Sequence, residues 1–377
     1  MRRLLLLVGG IVFVDTMFFV ALTPLLPEYA EEFGLSKAGA GVLSAAYPAG
    51  ALVGGIPGGV ATARLGARAT AIVGLVVIAV TTFVFATAES LWLLDGSRFV
   101  QGLGSALAWT AGLTWLVSET PAARRGQVIG SAMAAAIVGA LFGPVLGGIA
   151  ALVGAAAAFG AAGIAAIGLA LWSALTPAPP AAEQQRLGVL LAALRSRRIA
   201  LGVWLVALPA LFFGTLSVLA PLRLEELGVG AVAIGALWLG TAALEAGANP
   251  IVGRISDRVG RFRPMRFSVF AGALVALFLP WPGNAYLLGA LVVVAGISFG
   301  SFWTPAMAFL SDEAERRGLE YAYAFAVVNL AWAPGQALGS SGSGALAHVT
   351  SDAVPYLLLS ASCLLTFALL WRSRSSS

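Results

Sequence analysis

Apolar residues in this chain come in blocks long enough to cross a bilayer, and twelve of them follow one another. They run roughly over 4–27, 38–62, 69–88, 91–117, 127–151, 154–175, 199–222, 231–252, 267–283, 285–309, 320–345 and 353–371. A hydrocarbon core about 30 Å thick needs about 20 residues of helix. The blocks are too long for the buried helices of a globular core, and they lack the strict alternation of outer-membrane strands. The chain has 377 residues, 59% hydrophobic and 10% charged, against about 45–50% and about 25% for a soluble domain. That excess excludes a soluble enzyme, a disordered chain and a nucleic-acid-binding module. The start, Met1-Arg2-Arg3 and then leucines, imitates a signal peptide. Its apolar run continues past Asp15 to Pro27 without a cleavage pattern, so it reads as the first span. The one cysteine, Cys363, allows no intramolecular disulfide, and no Cys/His pattern would hold a metal. No phosphate-binding loop of the form G-x-x-x-x-G-K-[ST] is present, and no cofactor is expected.

Charge placement sets the expected orientation. With the N-terminus in the cytoplasm, the inward loops and tails carry 19 of the 22 basic residues. They include Arg64 and Arg68, Arg124 and Arg125, Arg195, Arg197 and Arg198, the run from Arg254 to Arg266, and Arg316 and Arg317. Outward loops carry only Lys37 and Arg223, and Arg98 lies inside a span. The formal charge of +5 is thus a topology signal and does not point to nucleic acid. The expectation is a multi-pass protein of the plasma membrane (the inner membrane of a cell with two) with both termini cytoplasmic.

The chain repeats itself. Shifted by 194, Pro27 falls on Pro221, Glu31 and Glu32 on Glu225 and Glu226, and Gly34 on Gly228; Gly59, Arg64 and Gly66 fall on Gly253, Arg258 and Gly260. Shifted by 192, Arg124-Arg125-Gly126 falls on Arg316-Arg317-Gly318, and Gly143 and Gly147 fall on Gly335 and Gly339. The polar stretch opening at Pro177-Ala178-Pro179-Pro180 separates the copies. The expected fold is an all-α integral membrane protein of twelve transmembrane helices in two parallel six-helix repeats. The expected organisation is a bundle at 1–176, a cytoplasmic linker at 177–198 and a second bundle at 199–377. Repeats of this kind place a site at their interface and rock around it.

Three motifs stand out. The turn after span 8 reads Gly253-Arg254-Ile255-Ser256-Asp257-Arg258-Val259-Gly260-Arg261. Its counterpart after span 2 runs from Gly59 through Arg64 and Gly66 to Arg68, with Ala63 where the acid would stand. Span 4 holds Arg98-Phe99-Val100-Gln101-Gly102, and Arg98, Gln101, Ser105 and Trp109 fall on one helical face. Span 5 holds Gly139, Gly143, Pro144, Gly147 and Gly148; glycines four apart admit a close helix, and the proline bends its own.

On these residues the chain resembles the major facilitator superfamily over essentially its whole length. The pattern G-x-x-x-D-R-x-G-R at 253–261 and R-x-x-Q-G at 98–102 are widely shared marks of it. G-x-x-x-G-P-x-x-G-G at 139–148 is similar to the narrower mark of its twelve-helix drug:proton antiporters. Asp15 followed by Thr23-Pro24-Leu25-Leu26-Pro27 also looks like that group. The resemblance implies alternating access, proton coupling, export and a monomer. It implies gating roles for Gly59, Arg64, Gly66, Gly253, Asp257, Arg258, Gly260 and Arg261, and a hinge at the span 5 glycines. The alanine at 63 departs from the family pattern at an inter-helix latch.

Ionisable groups inside spans are functional candidates by default, because each is costly in lipid. Asp15, Arg98 and Glu245 are therefore the candidates for proton coupling. The alternatives are a permanently paired or protonated acid, and for Arg98 a local pair with Asp95 or bonds to backbone carbonyls. Glu245 equally fits a cationic group of a substrate. Phe19, Tyr47, Gln101, Trp109, Trp238, Asn249, Asn329, Trp332 and Gln336 are the expected cavity lining, either as polar stripes at helical spacing or as aromatics suited to apolar and cationic molecules. Glu28, Glu31 and Glu32, and His348, read as outer-loop residues. The leading reading is a secondary transporter exporting small, mostly hydrophobic or cationic molecules in exchange for protons. The partners are substrate, protons and the bilayer. A proton-coupled importer or metabolite facilitator, and a lipid flippase, remain open on the same fold.

Overall fold

The computed structural model describes residues 2–121, 124–178 and 187–372, without side-chain detail at positions 126, 187, 250, 253, 257 and 372. Among them are thirteen α-helices: α1 Arg2–Glu32, α2 Lys37–Leu65, α3 Ala67–Ala86, α4 Leu91–Ser118, α5 Arg125–Val153, α6 Ala155–Leu175, α7 Leu187–Leu194, α8 Arg197–Glu226, α9 Ala231–Val259, α10 Phe262–Phe278, α11 Ala285–Arg316, α12 Tyr321–Val349 and α13 Ala353–Arg372. Twelve are long; α7 spans eight residues and lies in the stretch read as linker.

Glycine in the left-handed region breaks the chain between spans, where other side chains are strained. Gly34 (φ 61) and Gly228 (φ 84) are one such pair related by the repeat, and Gly66 (φ 86) and Gly260 (φ 84) are another. Gly154 (φ 91) divides the nearly continuous apolar block 127–175 into α5 and α6. Two of the described helices start on a side-chain cap: Ser36 Oγ accepts from Gly39 N at 3.3 Å, and Asn284 Oδ1 from Leu287 N at 2.8 Å.

Among the described residues nine helices are long and apolar enough to cross a membrane. The exceptions are instructive. Helix α10 has 17 residues. Helices α4 and α12 carry polar groups in mid-helix, Arg98 and Gln101 in one, Asn329 and Gln336 in the other, all buried. Their polarity faces protein, which is how polar side chains are tolerated at membrane depth.

Packing follows the repeat. In the first half, positions 139, 143 and 147 of α5 lie on α1 near Phe13, Met17 and Ala21. All three are glycine, so the helices meet backbone to backbone. In the second half Gly335 and Gly339 of α12 lie in the same way on Ala207 and Leu211 of α8. Contacts between the halves run mainly along α2 with α12 and α5 with α9. The end of the bundle where α1 begins is called here the tail face, and the opposite end the far face.

Two placements differ from the sequence reading. Glu28, Glu31 and Glu32 form the last turns of α1, and His348 lies in the last turn of α12. Helices continue past the apolar window into water, so polarity there marks depth and does not mark a loop.

Candidate functional site

The most polar buried cluster sits where α1, α2, α3 and α4 meet. Asp15 is 5% exposed. Tyr47 OH donates to its Oδ1 at 2.8 Å, and Ser105 Oγ to its Oδ2 at 2.9 Å. The carboxylate is thus held by two hydroxyls from two other helices.

Arg98 lies close by but takes other partners. Its Nη1 donates to the Phe18 carbonyl at 3.1 Å and to Gln101 Oε1 at 2.6 Å, and its Nη2 to the Phe19 carbonyl at 3.2 Å. Helical carbonyls keep a second lone pair, so α1 accepts these bonds without unwinding. The guanidinium also lies 4.8 Å from the Tyr47 ring centre and 5.7 Å from that of Phe85. Gln101 Nε2 donates on to Thr82 Oγ1 at 2.7 Å, and Thr82 to the Ile78 carbonyl at 2.7 Å. Of the alternatives for Arg98, backbone carbonyls are the ones observed. The local pair with Asp95 is not: the buried Asp95 Oδ1 has no hydrogen-bond partner among the described residues.

Glu245 belongs to a separate arrangement in the other half. Helices α9 and α11 run parallel with a constant offset: Thr241 meets Gly296, Glu245 meets Gly300, and Thr304 Oγ1 donates to Asn249 Oδ1 at 3.2 Å. The Glu245 carboxyl lies over Gly300, where a Cβ would displace it. No ion pair to Glu245 occurs among the described residues.

The expected cavity residues divide. Phe19 joins the halves, with its ring 5.2 Å from those of Tyr47 and Trp332. Asn329 Nδ2 donates to Thr110 Oγ1 at 3.4 Å, again across the halves. Gln336 is buried where α12 crosses Gly214 of α8. Trp109 and Trp238 are half-buried against the apolar core.

At the tail-face turns, Gly66 and Gly260 both have positive φ. Gly59 faces α12 at Ala322, Tyr323 and Ala326. Arg261 pairs with Asp312 at 2.6 Å, while Arg64 and Arg258 are exposed. Gly253 and the Asp257 side chain lie outside the described residues. In α5, Gly139, Gly143 and Gly147 serve close packing on α1; Gly148 faces open space, and the Pro144 carbonyl meets Gly235 of α9.

Sequence reasoning missed three roles. Tyr47 was read as a cavity aromatic, and its hydroxyl binds Asp15. Thr82 carried no signal. Ser105 was placed on the right face by its spacing from Arg98, without its partner.

A sequence profile described as Major Facilitator Superfamily matches residues 8–335. The chain belongs to the major facilitator superfamily. It is accordingly a membrane transporter and not an enzyme. A chloramphenicol resistance protein of Streptomyces lividans is 30% identical over 356 residues, covering 89% of this chain and 86% of the relative. An MFS-type transporter, ppzB, of Metarhizium rileyi is 34% identical over 142 residues. That alignment covers 36% of this chain and only 29% of the relative, so this match spans less than a third of that protein's length. Among solved structures, a D-xylose-proton symporter superposes with a TM-score of 0.78 over 98% of this chain and 96% of that one, at 17% identity. At that identity the likeness is one of fold.

Proposed function

We propose that this transporter exports small, mostly hydrophobic or cationic molecules in exchange for protons. The observation that carries the reading is Asp15, a carboxylate buried halfway along α1 and held by the Tyr47 and Ser105 hydroxyls, with Arg98 beside it bound elsewhere. A group with neutral donors and a cation within reach can take up and release a proton without dismantling its surroundings. In this reading Asp15 and Arg98 couple the proton, and Glu245 serves in the second half. Phe19, Tyr47, Asn329 and Trp332 line the path between the halves, and the α5 glycines act as the hinge. Residues 1–176 and 199–377 are the moving bodies, joined by 177–198. The protein works as a monomer in the plasma membrane with both termini in the cytoplasm. One proton entering across 100 mV supplies about 2.3 kcal/mol, enough for roughly fifty-fold accumulation.

The test is a growth-inhibition panel in an efflux-deficient host. It begins with chloramphenicol, the compound in the name of the Streptomyces lividans relative. Wild type is expected to raise the inhibitory concentration of at least one compound class, and Asp15→Asn to abolish the gain at equal amounts in the membrane. Full protection by Asp15→Asn, or proton-driven uptake of the same compound in proteoliposomes, would overturn the reading.

A further inference from the structure

Lys37 is the only lysine among the 22 basic residues, and two general rules disfavour its place. It is the first residue of α2, where the positive end of the helix dipole opposes a cation. It also lies at the far face, where the only other basic residue is Arg223, in the last turn of α8. A residue that breaks two local rules is held there by partners from elsewhere in the fold.

Those partners all come from the other half. Lys37 Nζ lies 2.8 Å from both carboxylate oxygens of Asp352, just before α13, and 3.4 Å from Glu226 Oε1 at the end of α8. The second Glu226 oxygen accepts from Arg223 at 2.7 Å, which holds that carboxylate in place. Beneath the ion pairs the backbones touch. A Cβ on Gly344 of α12 would run into the Lys37 carbonyl oxygen, and one on Gly41 would come within 2.6 Å of the Ser340 carbonyl oxygen. Along the same seam Glu28 and Glu31 of α1 face Glu225 of α8, and these like charges push the halves apart. Lys37 is the cation that crosses the seam.

We propose that Lys37 is the gate residue of the far face. Its ion pairs with Asp352 and Glu226 hold α2 against α8, α12 and α13, and they break each time the far face opens. The assignment goes beyond the exporter reading. It requires only that the halves separate at that face, whatever solute or ion drives them.

The gate can be read without a transported substrate. In a Cys363→Ala background, Ser341→Cys places one thiol on α12 against Gly41. Its rate of reaction with a membrane-impermeant maleimide, added at the far face of membrane vesicles, reports opening of the seam. Lys37→Met is expected to speed modification at least tenfold, and Glu226→Gln to speed it less. The exchange Lys37→Glu with Asp352→Lys is expected to restore the slow rate. Should Lys37→Met fail to insert, Asp352→Asn breaks the same pair from the other side. Equal rates in all variants would overturn the proposal. So would an acceleration that the exchange leaves in place, since Lys37 would then act through packing and not through charge. Neither result bears on whether compounds are exported, which the growth panel reads separately.

Discussion

Asp15 keeps its place through two hydroxyl donors, and each can be removed without disturbing the helices that carry it. Tyr47→Phe deletes the 2.8 Å bond and keeps the ring beside Phe19 and under Arg98. One hydrogen bond is worth about 1 kcal/mol, so proton-coupled transport in proteoliposomes is expected to fall roughly fivefold at an unchanged protein yield. Ser105→Ala is expected to act in the same direction, and the double variant to cost more than either alone. An unchanged rate in Tyr47→Phe would separate the hydroxyl from coupling. Much of this cluster was legible in the sequence. The depth of Asp15 in an apolar block singled it out, and the spacing of Arg98, Gln101 and Ser105 put them on one face. The Tyr47 hydroxyl was not legible, because its aim depends on how α1 crosses α2. For the same reason Glu245 and Asn249 were readable at helical spacing, while the bed beneath Glu245, Gly300 of α11, was not.

Elements here are joined through missing side chains. Gly102 of α4 lies against the Tyr47 carbonyl of α2, and Gly50 of α2 against the Phe99 carbonyl of α4. A methyl at either position has to push two backbones apart, and overpacking of that kind costs about 1–3 kcal/mol. Gly102→Ala is therefore expected to lower the thermal midpoint of the detergent-solubilised protein. Gly148, with open space around it, is the control: Gly148→Ala gains helix propensity of up to about 1 kcal/mol and is expected to hold or raise the midpoint. A midpoint equal in both would show that the bundle yields at the α2–α4 contact. The sequence repeat matched Gly143 and Gly147 with Gly335 and Gly339, and those positions do equivalent work on α1 and α8. Helix ends were less legible. The apolar block at 285–309 belongs to a helix that runs to Arg316, because hydropathy marks the part of a helix that lies in lipid and not its hydrogen-bonded length.

For the whole molecule, the basic residues of the described loops crowd the tail face, and the far face keeps only Lys37 and Arg223 among its acids. In the Cys363→Ala background, a cysteine at Glu89, between α3 and α4, is expected to react with an impermeant maleimide in intact cells. One at Arg195, between α7 and α8, is expected to react only after the membrane is opened. The reverse pattern would invert the proposed orientation. Orientation could be argued from sequence because it rests on counting charges. The seam between the halves could not, since it depends on which pairs of distant residues meet.

The contact of α2 with α12 is uneven along its length. Near the far face a Cβ on Gly41 would sit 2.6 Å from the Ser340 carbonyl oxygen, whereas towards the tail face Gly55 has 3.5 Å to Asn329 Cβ and Gly59 3.3 Å to Ala326 Cβ. All three positions are glycine, yet only one end bears fully. Such a pair works as a rocker with two seats, one bearing hard and one bearing lightly. Filling the lighter seat by one methyl leaves the present posture standing and hinders the tilt to the other. Gly55→Ala, whose new methyl meets its nearest neighbour at 3.5 Å, is therefore expected to insert and stay folded while turnover falls, whereas Gly41→Ala strikes the seat now in use and unsettles the posture itself.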